Sequence, residues 1–382
     1  MIVTVVRVTY DRSQVESRVM TVSKVTGFYQ KYLRWIPIVS FVLGFIFDMV
    51  MLRRIDEFRT LIQQALYLII AALLIAVELT EVTREVRPPE FLKKIWKYRE
   101  ALLHFLLGTL LNSYTIFYFK SASALTSFTF IFLLVGLLIF NEFLRFGKSQ
   151  IQVHVGLLSL CLISYLVSLA PIVLGFIGLG AFLSSVVATV LIFAGYLKLL
   201  MPILSQTPAV VKSHLIYPFG MIQVTFVALY FAHAIPPVPL SVPYMGIYHG
   251  VEKRAEGGYR LTFTRSAWRF WENGDETFLA RPGDTVVCFV QVYSPARFKD
   301  ELQVRWLYSD EKLGWQSQDV IPLPVVGGRE EGYRGVMKKN NYRPGLWRVQ
   351  VETRDSREIG RISLSIVADD ATNERSLHTL IK

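Results

Sequence analysis

Charge and cysteine are both scarce in this sequence, and each shortage excludes a class of protein. Only 19% of the 382 residues are charged and 52% are hydrophobic, whereas soluble domains carry roughly a quarter charged residues. A mean hydropathy of +0.39 excludes intrinsic disorder and argues against a wholly soluble chain. The two cysteines, Cys161 and Cys288, are too few for a disulfide scaffold or a thiolate metal site.

Catalytic signatures are also missing from the sequence. It contains no HExxH, no GxSxG, no glycine-rich phosphate loop and no group of histidines and acids at metal-ligand spacing. We therefore expect no cofactor and no metal, and the sequence favours recognition over catalysis. A hydrolase whose two carboxylates meet only in three dimensions stays an alternative.

Long apolar stretches, by contrast, are plentiful in the first two thirds of the chain. Crossing a bilayer as a helix takes about 20 residues, and seven stretches are long enough: 35–52, 61–79, 102–119, 123–143, 152–170, 173–199 and 217–235. The fifth and sixth are separated at Pro171, because proline removes a backbone hydrogen bond and clashes with the preceding turn. We predict a cytoplasmic segment at 1–31 and an α-helical polytopic membrane domain at 32–236.

Lysine and arginine are distributed unequally between the two ends of these stretches. Residues 1–236 contain 20 basic and 11 acidic side chains, against 21 and 19 in the remainder. With a cytoplasmic N-terminus, 16 of those 20 basic residues lie on the inner side and 4 on the outer side. Cytoplasmic loops retain positive charge, which predicts a bacterial inner-membrane protein whose last third faces the periplasm. Basic residues confined to short loops do not form a nucleic-acid surface.

Polar side chains within the apolar stretches are candidate functional groups, because burying them in lipid is costly. The residues concerned are Asp48, Glu78, His104, Asn112 and His154. The competing interpretation pairs Asp48 with Arg53 or Arg54, lets Glu78 and both histidines reach the interface, and bonds the asparagine to a neighbouring helix.

Small residues form two ridges on the sixth stretch. At four-residue spacing the ridges are Gly180, Ser184 and Ala188, and Ala181, Ser185 and Thr189. Such ridges allow close helix packing, either inside the bundle or between two copies of the chain.

The final third has the pattern of a β domain. Pro236–Pro243 cannot continue a helix, so 237–243 is interpreted as a proline-rich linker. Beyond it apolar residues alternate with period two, as in Cys288, Val290 and Val292, and turn signals such as Asn273-Gly274 separate the runs. We predict an antiparallel, immunoglobulin-like β-sandwich at 244–368, with Cys288 and Trp347 in its core, and a C-terminal tail at 369–382.

Several motifs of this part resemble a known family. They are Gly246-Ile247-Tyr248-His249, Trp268-Arg269-Phe270-Trp271, Gly332-Tyr333-Arg334-Gly335, Pro344-Gly345-Leu346-Trp347-Arg348-Val349 and Ile359-Gly360-Arg361-Ile362. Through them, residues 238–367 resemble the bacterial family of domain of unknown function 2914 (DUF2914), whose longer members also carry several membrane helices. Relatives often have a histidine before the Arg305-Trp306 pair, where this chain has Val304. The resemblance implies the two-part architecture and brings no activity, cofactor or catalytic residue.

Two sets of side chains offer ligand chemistry outside the membrane. Arg305, Arg329, Tyr333 and Arg334 provide donors for a carboxylate, phosphate or sulfate, or else the arginines pair with acids and brace the fold. The second set comprises Trp268, Trp271 and Trp315, which lie near turns and offer aromatic faces to a glycan unless they enter the core.

These patterns favour a protein of the lipid bilayer that presents its β domain to an envelope glycan, an anionic group or a periplasmic protein, without catalysis. One alternative is a solute or ion pathway through the helices, for which Asp48 is the main support. Another is a hydrolase of envelope glycans on the outer face. A homo-oligomer through the sixth stretch is a further expectation, and a nucleic-acid partner is not expected.

Overall fold

The described part of the chain is an α-helical region followed by a β-rich region. The computed structural model describes residues 57–84, 99–123, 125–143, 150–204, 208–266, 268–295, 297–326, 332–371 and 373–382. All of them belong to the unit Arg54–Lys382. The predicted first stretch at 35–52 with Asp48, the segment 1–31, and Arg329 lie outside the described residues.

Seven α-helices lie within the described residues of the helical region. The helices are α1 (Phe58–Arg84), α2 (Arg99–Ser121), α3 (Leu125–Phe143), α4 (Gln150–Leu174), α5 (Leu179–Leu204), α6 (Pro208–Val211) and α7 (Tyr217–Phe231). Between α6 and α7 the backbone forms a π-helical turn at Lys212–Ile216.

In the part of the chain that the structure describes, five helical segments are long and apolar enough to cross a membrane. They are Phe58–Glu81, Arg99–Ser121, Ile151–Leu174, Leu179–Pro202 and Lys212–Phe231. These correspond to the second, third, fifth, sixth and seventh predicted stretches. The fourth stretch contains α3, and the apolar part of this helix whose side chains are described, Ser127–Leu137, is shorter than a span.

The boundary between α4 and α5 differs from the prediction. Pro171 lies inside α4, and the helix continues to Leu174. The chain turns instead at Gly175 and Gly178, whose φ angles of 80° and 117° suit glycine. The N–H of Gly175 still donates to the Pro171 carbonyl at 2.9 Å, which is how a left-handed glycine closes a helix. A proline in the last turn is therefore tolerated, and the glycines set the boundary.

One small-residue ridge of α5 packs inside the bundle. Ala181, Ser185 and Thr189 are buried, and the Ser185 hydroxyl donates to the Leu166 carbonyl of α4 at 3.1 Å. The other ridge starts with Gly180 and Ser184, which are exposed. The homo-oligomer prediction therefore rests on this second ridge alone.

Within the described residues the β region has eleven strands. They are β1 (Ser241–Tyr248), β2 (Gly250–Lys253), β3 (Tyr259–Phe263), β4 (Thr277–Ala280), β5 (Val286–Tyr293), β6 (Lys299–Asp310), β7 (Gly314–Val326), β8 (Tyr333–Lys339), β9 (Gly345–Glu352), β10 (Glu358–Ala368) and β11 (His378–Ile381). They form sheets ordered β1-β5-β8, β4-β10-β9-β6-β7 and β11-β3-β2. The pairing of β4 with β10 is parallel, which the expectation of an antiparallel fold did not anticipate.

The first two of these sheets share one hydrophobic core. Cys288 and Val290 of β5 are buried in the same cluster as Trp306, Trp347 and Leu364 of the five-stranded sheet. The alternation predicted for β5 is confirmed in this cluster, which contains every second residue from Val286 to Val292. Val287 and Phe289, on the opposite face of the strand, are buried as well. The predicted core thiol and the predicted core position of Trp347 are confirmed as well.

Two terminal segments of the β domain are more ordered than the sequence indicated. β1 begins at Ser241, inside the segment interpreted as a linker, and Val238 and Leu240 just before it are buried. The presumed tail ends in β11, which pairs with β3 so that Leu380 lies opposite Leu261. Pairing of segments so distant in sequence leaves no local signal in the tail itself.

The helical and β regions meet where helices end. In the connection after α2, the Ser123 hydroxyl donates to Glu358 at 2.5 Å. In the connection after α4, the carbonyl of Gly175 accepts the N–H of Lys299 at 2.9 Å. The ends of α2 and α4 therefore lie against the β region, and the start of α2, where Arg99 pairs with α1, lies at the opposite side.

Arg357 makes the third contact, between the β9–β10 turn and the end of α7. Its guanidinium donates to the carbonyls of Tyr230 at 2.7 Å and Ile235 at 3.3 Å, and to the Asp355 carboxylate at 2.9 Å. The same group lies 3.6 Å from the centroid of the Tyr230 ring. The side chain of Arg357 is 6% exposed, so these bonds form in a buried junction.

Candidate functional site

An exposed group of aromatic residues lies on the connection between β3 and β4. We call residues 264–276 the aromatic loop. Trp268 is 67% exposed, Phe270 81% and Trp271 59%. The Trp271 ring packs edge to face on both neighbours, with centroids 5.4 Å from Trp268 and 5.2 Å from Phe270. Exposed apolar clusters of this kind mark binding surfaces.

A buried carboxylate holds the two ends of the aromatic loop together. Asp275 accepts the N–H groups of Thr264 at 2.9 Å and Arg265 at 2.7 Å, and the hydroxyl of Thr264 at 3.0 Å. The N–H of Asp275 in turn donates to the Ile247 carbonyl of β1 at 2.7 Å. Gly274 has a φ of 78°, and a Cβ there would collide with that carbonyl. The loop is therefore fixed at its base.

His249 completes the base of the aromatic loop. Its Nε2 lies 3.6 Å from an Asp275 oxygen, and its ring stacks on Phe278 with centroids 4.1 Å apart. Burial lowers the pKa of His249 and raises the pKa of Asp275, although the Thr264 bonds oppose the second effect. The imidazole is consequently neutral near pH 7, and the pair supports the loop without a buried ion pair.

Charged groups border the exposed rings. The Arg269 guanidinium lies 5.8 Å from the centroid of Trp268, and it is 3.3 Å from Glu272. Arg265 donates to the carbonyl of Arg269. Aromatic faces and hydrogen-bonding groups are thus available on one short segment.

The aromatic loop arises at the end of the β region that is far from the helices. Glu358, which contacts Ser123, starts β10, whereas the N–H of Ser365 in the same strand donates to the Glu276 carbonyl at 2.7 Å. Seven residues of strand separate these two points, which corresponds to about 23 Å. The rings therefore project from a base well away from the helical region.

Two of the other predicted ligand residues contact neighbouring side chains, although Trp315 stays 37% exposed. Arg305 donates to Glu352 at 3.0 Å and to Ser317 at 3.2 Å, on the outer face of the five-stranded sheet. The Arg348 guanidinium stacks over Trp315, 4.0 Å from its ring centroid. For Arg305 the structure matches the competing interpretation, in which the arginine pairs with an acid.

Tyr333 and Arg334 lie on a different sheet. They begin β8, opposite Val292 and Gln291 of β5, and Tyr333 packs partly against the shared core. The predicted ligand residues that the structure describes therefore occupy three separate surfaces, and among them the rings of Trp268 and Trp271 are in contact.

Three polar groups of the helices, which the sequence presents separately, come together. Glu78 of α1 bonds the Nδ1 atom of the buried His154 of α4 at 2.9 Å, and the His104 ring of α2 lies 5.2 Å from that imidazole. Glu78 and His154 also border a cavity of about 190 Å³. This hydrogen-bonded group lies at the side of the helices away from the β region. Asn112 lies eight residues beyond His104, about 12 Å along α2.

In the sequence, the one sign of this cluster is that Glu78, His104 and His154 are expected at a similar depth in the membrane. All three residues lie within about two turns of predicted inner helix ends, but sequence alone does not show which helices are neighbours. The sequence pattern is the same whether these side chains reach the membrane interface separately or contact one another between helices.

Comparison with known proteins identifies a family segment and three distant structural likenesses. The family model "Protein of unknown function (DUF2914)" matches residues 299–366, which run from β6 into β10. The predicted resemblance is confirmed for these residues. No curated protein matches the chain.

The solved structures are similar at low identity. An immunoglobulin-like protein from Pseudomonas aeruginosa is 15% identical, with 34% of this chain and 98% of that chain covered and a TM-score of 0.21. A Listeria innocua β-glucosidase in complex with gluconolactone is 14% identical over 28% of this chain and 16% of its own, with a TM-score of 0.18. A GH3 β-glucosidase from Bifidobacterium adolescentis is 10% identical over 34% and 19%, also at 0.18. At these values the likenesses assign neither a fold nor a ligand to this chain.

Proposed function

We propose that this chain, which carries a DUF2914 segment at residues 299–366, is a multi-pass protein of the bacterial inner membrane. In this proposal its β region is an immunoglobulin-like sandwich in the periplasm and recognises an envelope glycan through the aromatic loop. Recognition occurs without catalysis, and neither a cofactor nor a metal takes part.

The membrane assignment is supported by helices and charge together. Five described segments are long and apolar enough to span a bilayer. Sixteen basic residues fall on the predicted inner side and four on the outer side. Because the connections after α2 and α4 contact the β region, the β region lies on the side with few basic residues. Positive charge marks the cytoplasmic side, so this arrangement favours a periplasmic β region.

The exposure of Trp268, Phe270 and Trp271 on a fixed loop is the observation that carries the binding proposal. Large aromatic rings are costly to leave in water, and the Asp275 bonds prevent the loop from folding them inward. A surface of this kind is stabilised when a ligand covers the rings.

The chemistry of the loop favours a glycan. A sugar ring has an apolar C–H face that can stack on an indole, and hydroxyl groups around its edge. The Arg269 guanidinium, whose side chain is 28% exposed, lies beside the Trp268 face and supplies hydrogen-bond donors for such hydroxyls. A protein anchor would instead need a second apolar surface shaped to enclose three protruding rings.

Binding to purified peptidoglycan sacculi tests this proposal with the full chain in detergent. We expect Trp268→Ala and Trp271→Ala each to weaken co-sedimentation about 5- to 30-fold, since an aromatic contact contributes roughly 1 to 2 kcal/mol. Leu313→Ala is the matched control, because Leu313 is equally exposed, at 71%, on the turn between β6 and β7.

Two outcomes would contradict the proposal. One is sacculus binding by the tryptophan variants that equals binding by the Leu313→Ala control. The other is absence of sacculus binding together with loss, in the tryptophan variants, of a specific protein cross-link. The second result would make a periplasmic protein the partner of the aromatic loop.

A further inference from the structure

An apolar groove separates α4 from the π-helical turn and α7. Its cavity volume is about 890 Å³, within the range of about 300 to 1,000 Å³ of typical ligand sites. The walls include Val153, Leu157, Leu160, Ile216, Met221 and Ile222. The helical segments that form most of it are apolar enough to cross a membrane, so apolar acyl chains are the surroundings expected for the groove.

Two glycines widen the groove. Gly156 of α4 and Gly220 of α7 both line it, and a Cβ on either would meet nothing within 4 Å. Glycine costs a helix interior about 1 kcal/mol relative to alanine. The lack of side chains at these two positions therefore leaves space in the groove that a larger residue would fill.

The length of the groove corresponds to one leaflet. Gln152 and Leu160 mark its extent along α4, and eight residues of helix rise about 12 Å. Half of a hydrocarbon core is about 15 Å. An extended acyl chain of a single leaflet can therefore lie along the groove.

One end of the groove is lined by the polar residues Gln152 and Ser213, and a lysine precedes Ser213 in the chain. There the Gln152 amide donates to the Ser213 carbonyl at 3.2 Å, and the exposed Lys212 precedes Ser213 at the start of the π-helical turn. This end is opposite the β region, because α7 runs from here to its contact with Arg357. Basic residues at such a position attract anionic headgroups, and π-helical turns recur at functional sites.

We propose that this groove is a binding site for an anionic phospholipid of the leaflet farther from the β region. One acyl chain lies along Gly156 and Gly220, and the phosphate lies at Lys212. The apolar walls exclude water from the acyl chain. The positive charge of Lys212 attracts an anionic headgroup more strongly than a zwitterionic headgroup, which has no net charge.

Native mass spectrometry of the full chain in detergent tests the site with equimolar phosphatidylglycerol and phosphatidylethanolamine. We expect the wild type to retain more phosphatidylglycerol than phosphatidylethanolamine. Gly156→Leu places a side chain in the groove and should reduce this retention at least tenfold. Lys212→Gln should bring the ratio of the two lipids close to one, because the headgroup contact loses its charge.

Matched variants separate the groove from general lipid contact. Gly195→Leu alters a glycine of α5 that is equally open but does not line the groove, and Lys198→Gln removes an exposed lysine of the same helix. Both should retain phosphatidylglycerol as the wild type does. Thermal unfolding verifies folding, and Gly220→Leu replaces Gly156→Leu if the latter does not fold.

The proposal is overturned if the wild type retains the two lipids equally. It is overturned as well if a folded groove-filling variant retains as much phosphatidylglycerol as Gly195→Leu does.

Discussion

Replacing Arg357 by alanine should weaken the junction between the β region and the end of α7. The substitution removes an ion pair to Asp355 and two hydrogen bonds, to the carbonyls of Tyr230 and Ile235. It also removes the guanidinium from the face of the Tyr230 ring, whose opposite neighbour Phe182 stacks with it at 3.6 Å between centroids.

The expected loss follows from the burial of these groups. Breaking a buried pair costs about 3 to 5 kcal/mol, because the remaining partner loses its compensation. Asp355 is 32% exposed and keeps its bonds from the hydroxyls of Thr353 and Tyr230, which places the loss near the lower figure. The carbonyls of Tyr230 and Ile235 increase this loss only if water does not replace the hydrogen bonds that they accepted from Arg357.

Two measurements on the full chain in nanodiscs check this prediction. The free energy of unfolding, followed by tryptophan fluorescence, should fall by about 3 kcal/mol. Proteolysis within 232–240 should accelerate, because Ile235 and Val238 lose their burial at the junction. Arg357→Lys should be intermediate, since an ammonium keeps the charge and loses the planar fork.

Arg354→Ala is the control in the same turn. Arg354 is 67% exposed and pairs with Glu301 at 2.9 Å, so its removal should cost about 1 kcal/mol or less. Equal losses for Arg354→Ala and Arg357→Ala would refute the reasoning that burial makes the junction strong.

Three further predictions concern the β region. Gly274→Val should destabilise the chain by about 1 to 3 kcal/mol in chemical unfolding, because its φ of 78° and the Ile247 carbonyl exclude a side chain; unchanged stability would contradict the anchored loop. Cys288 should resist iodoacetamide until the chain unfolds, since burial raises the pKa of its thiol; rapid alkylation of the folded chain would be the contrary result. Burial alone would raise the pKa of Asp355, but its bonds from Thr353 and Arg357 lower it. Its contribution is therefore complete above pH about 4 and is lost as pH falls through the lowered value. The stability difference between wild type and Asp355→Asn should shrink below pH about 4, and a constant difference would oppose the assignment.

Predictions that depended on local patterns agree with the structure. The period-two run from Val286 to Val292 places alternate residues in the shared core, because successive side chains of a strand point to opposite faces of the sheet. Apolar length likewise indicates where α1, α2, α4, α5 and α7 lie. Both signals are contained in a short window of sequence.

Features that depend on distant segments were not predictable in this way. The pairing of β11 with β3 joins Leu380 to Leu261, and the stacking of Arg348 on Trp315 depends on the register of neighbouring strands. The meeting of Glu78, His104 and His154 requires three helices to be neighbours. In each case the sequence indicates side chains of the right chemistry but not which of them are in contact.

Labelling with a membrane-impermeant maleimide tests the central claim, that the β region lies outside the cytoplasm. Both native cysteines are buried, so a cysteine introduced in place of the exposed Lys312 on the β6–β7 turn should react above a low background. The account predicts labelling of this cysteine in intact spheroplasts. Labelling that occurs only after the spheroplasts are lysed would contradict it.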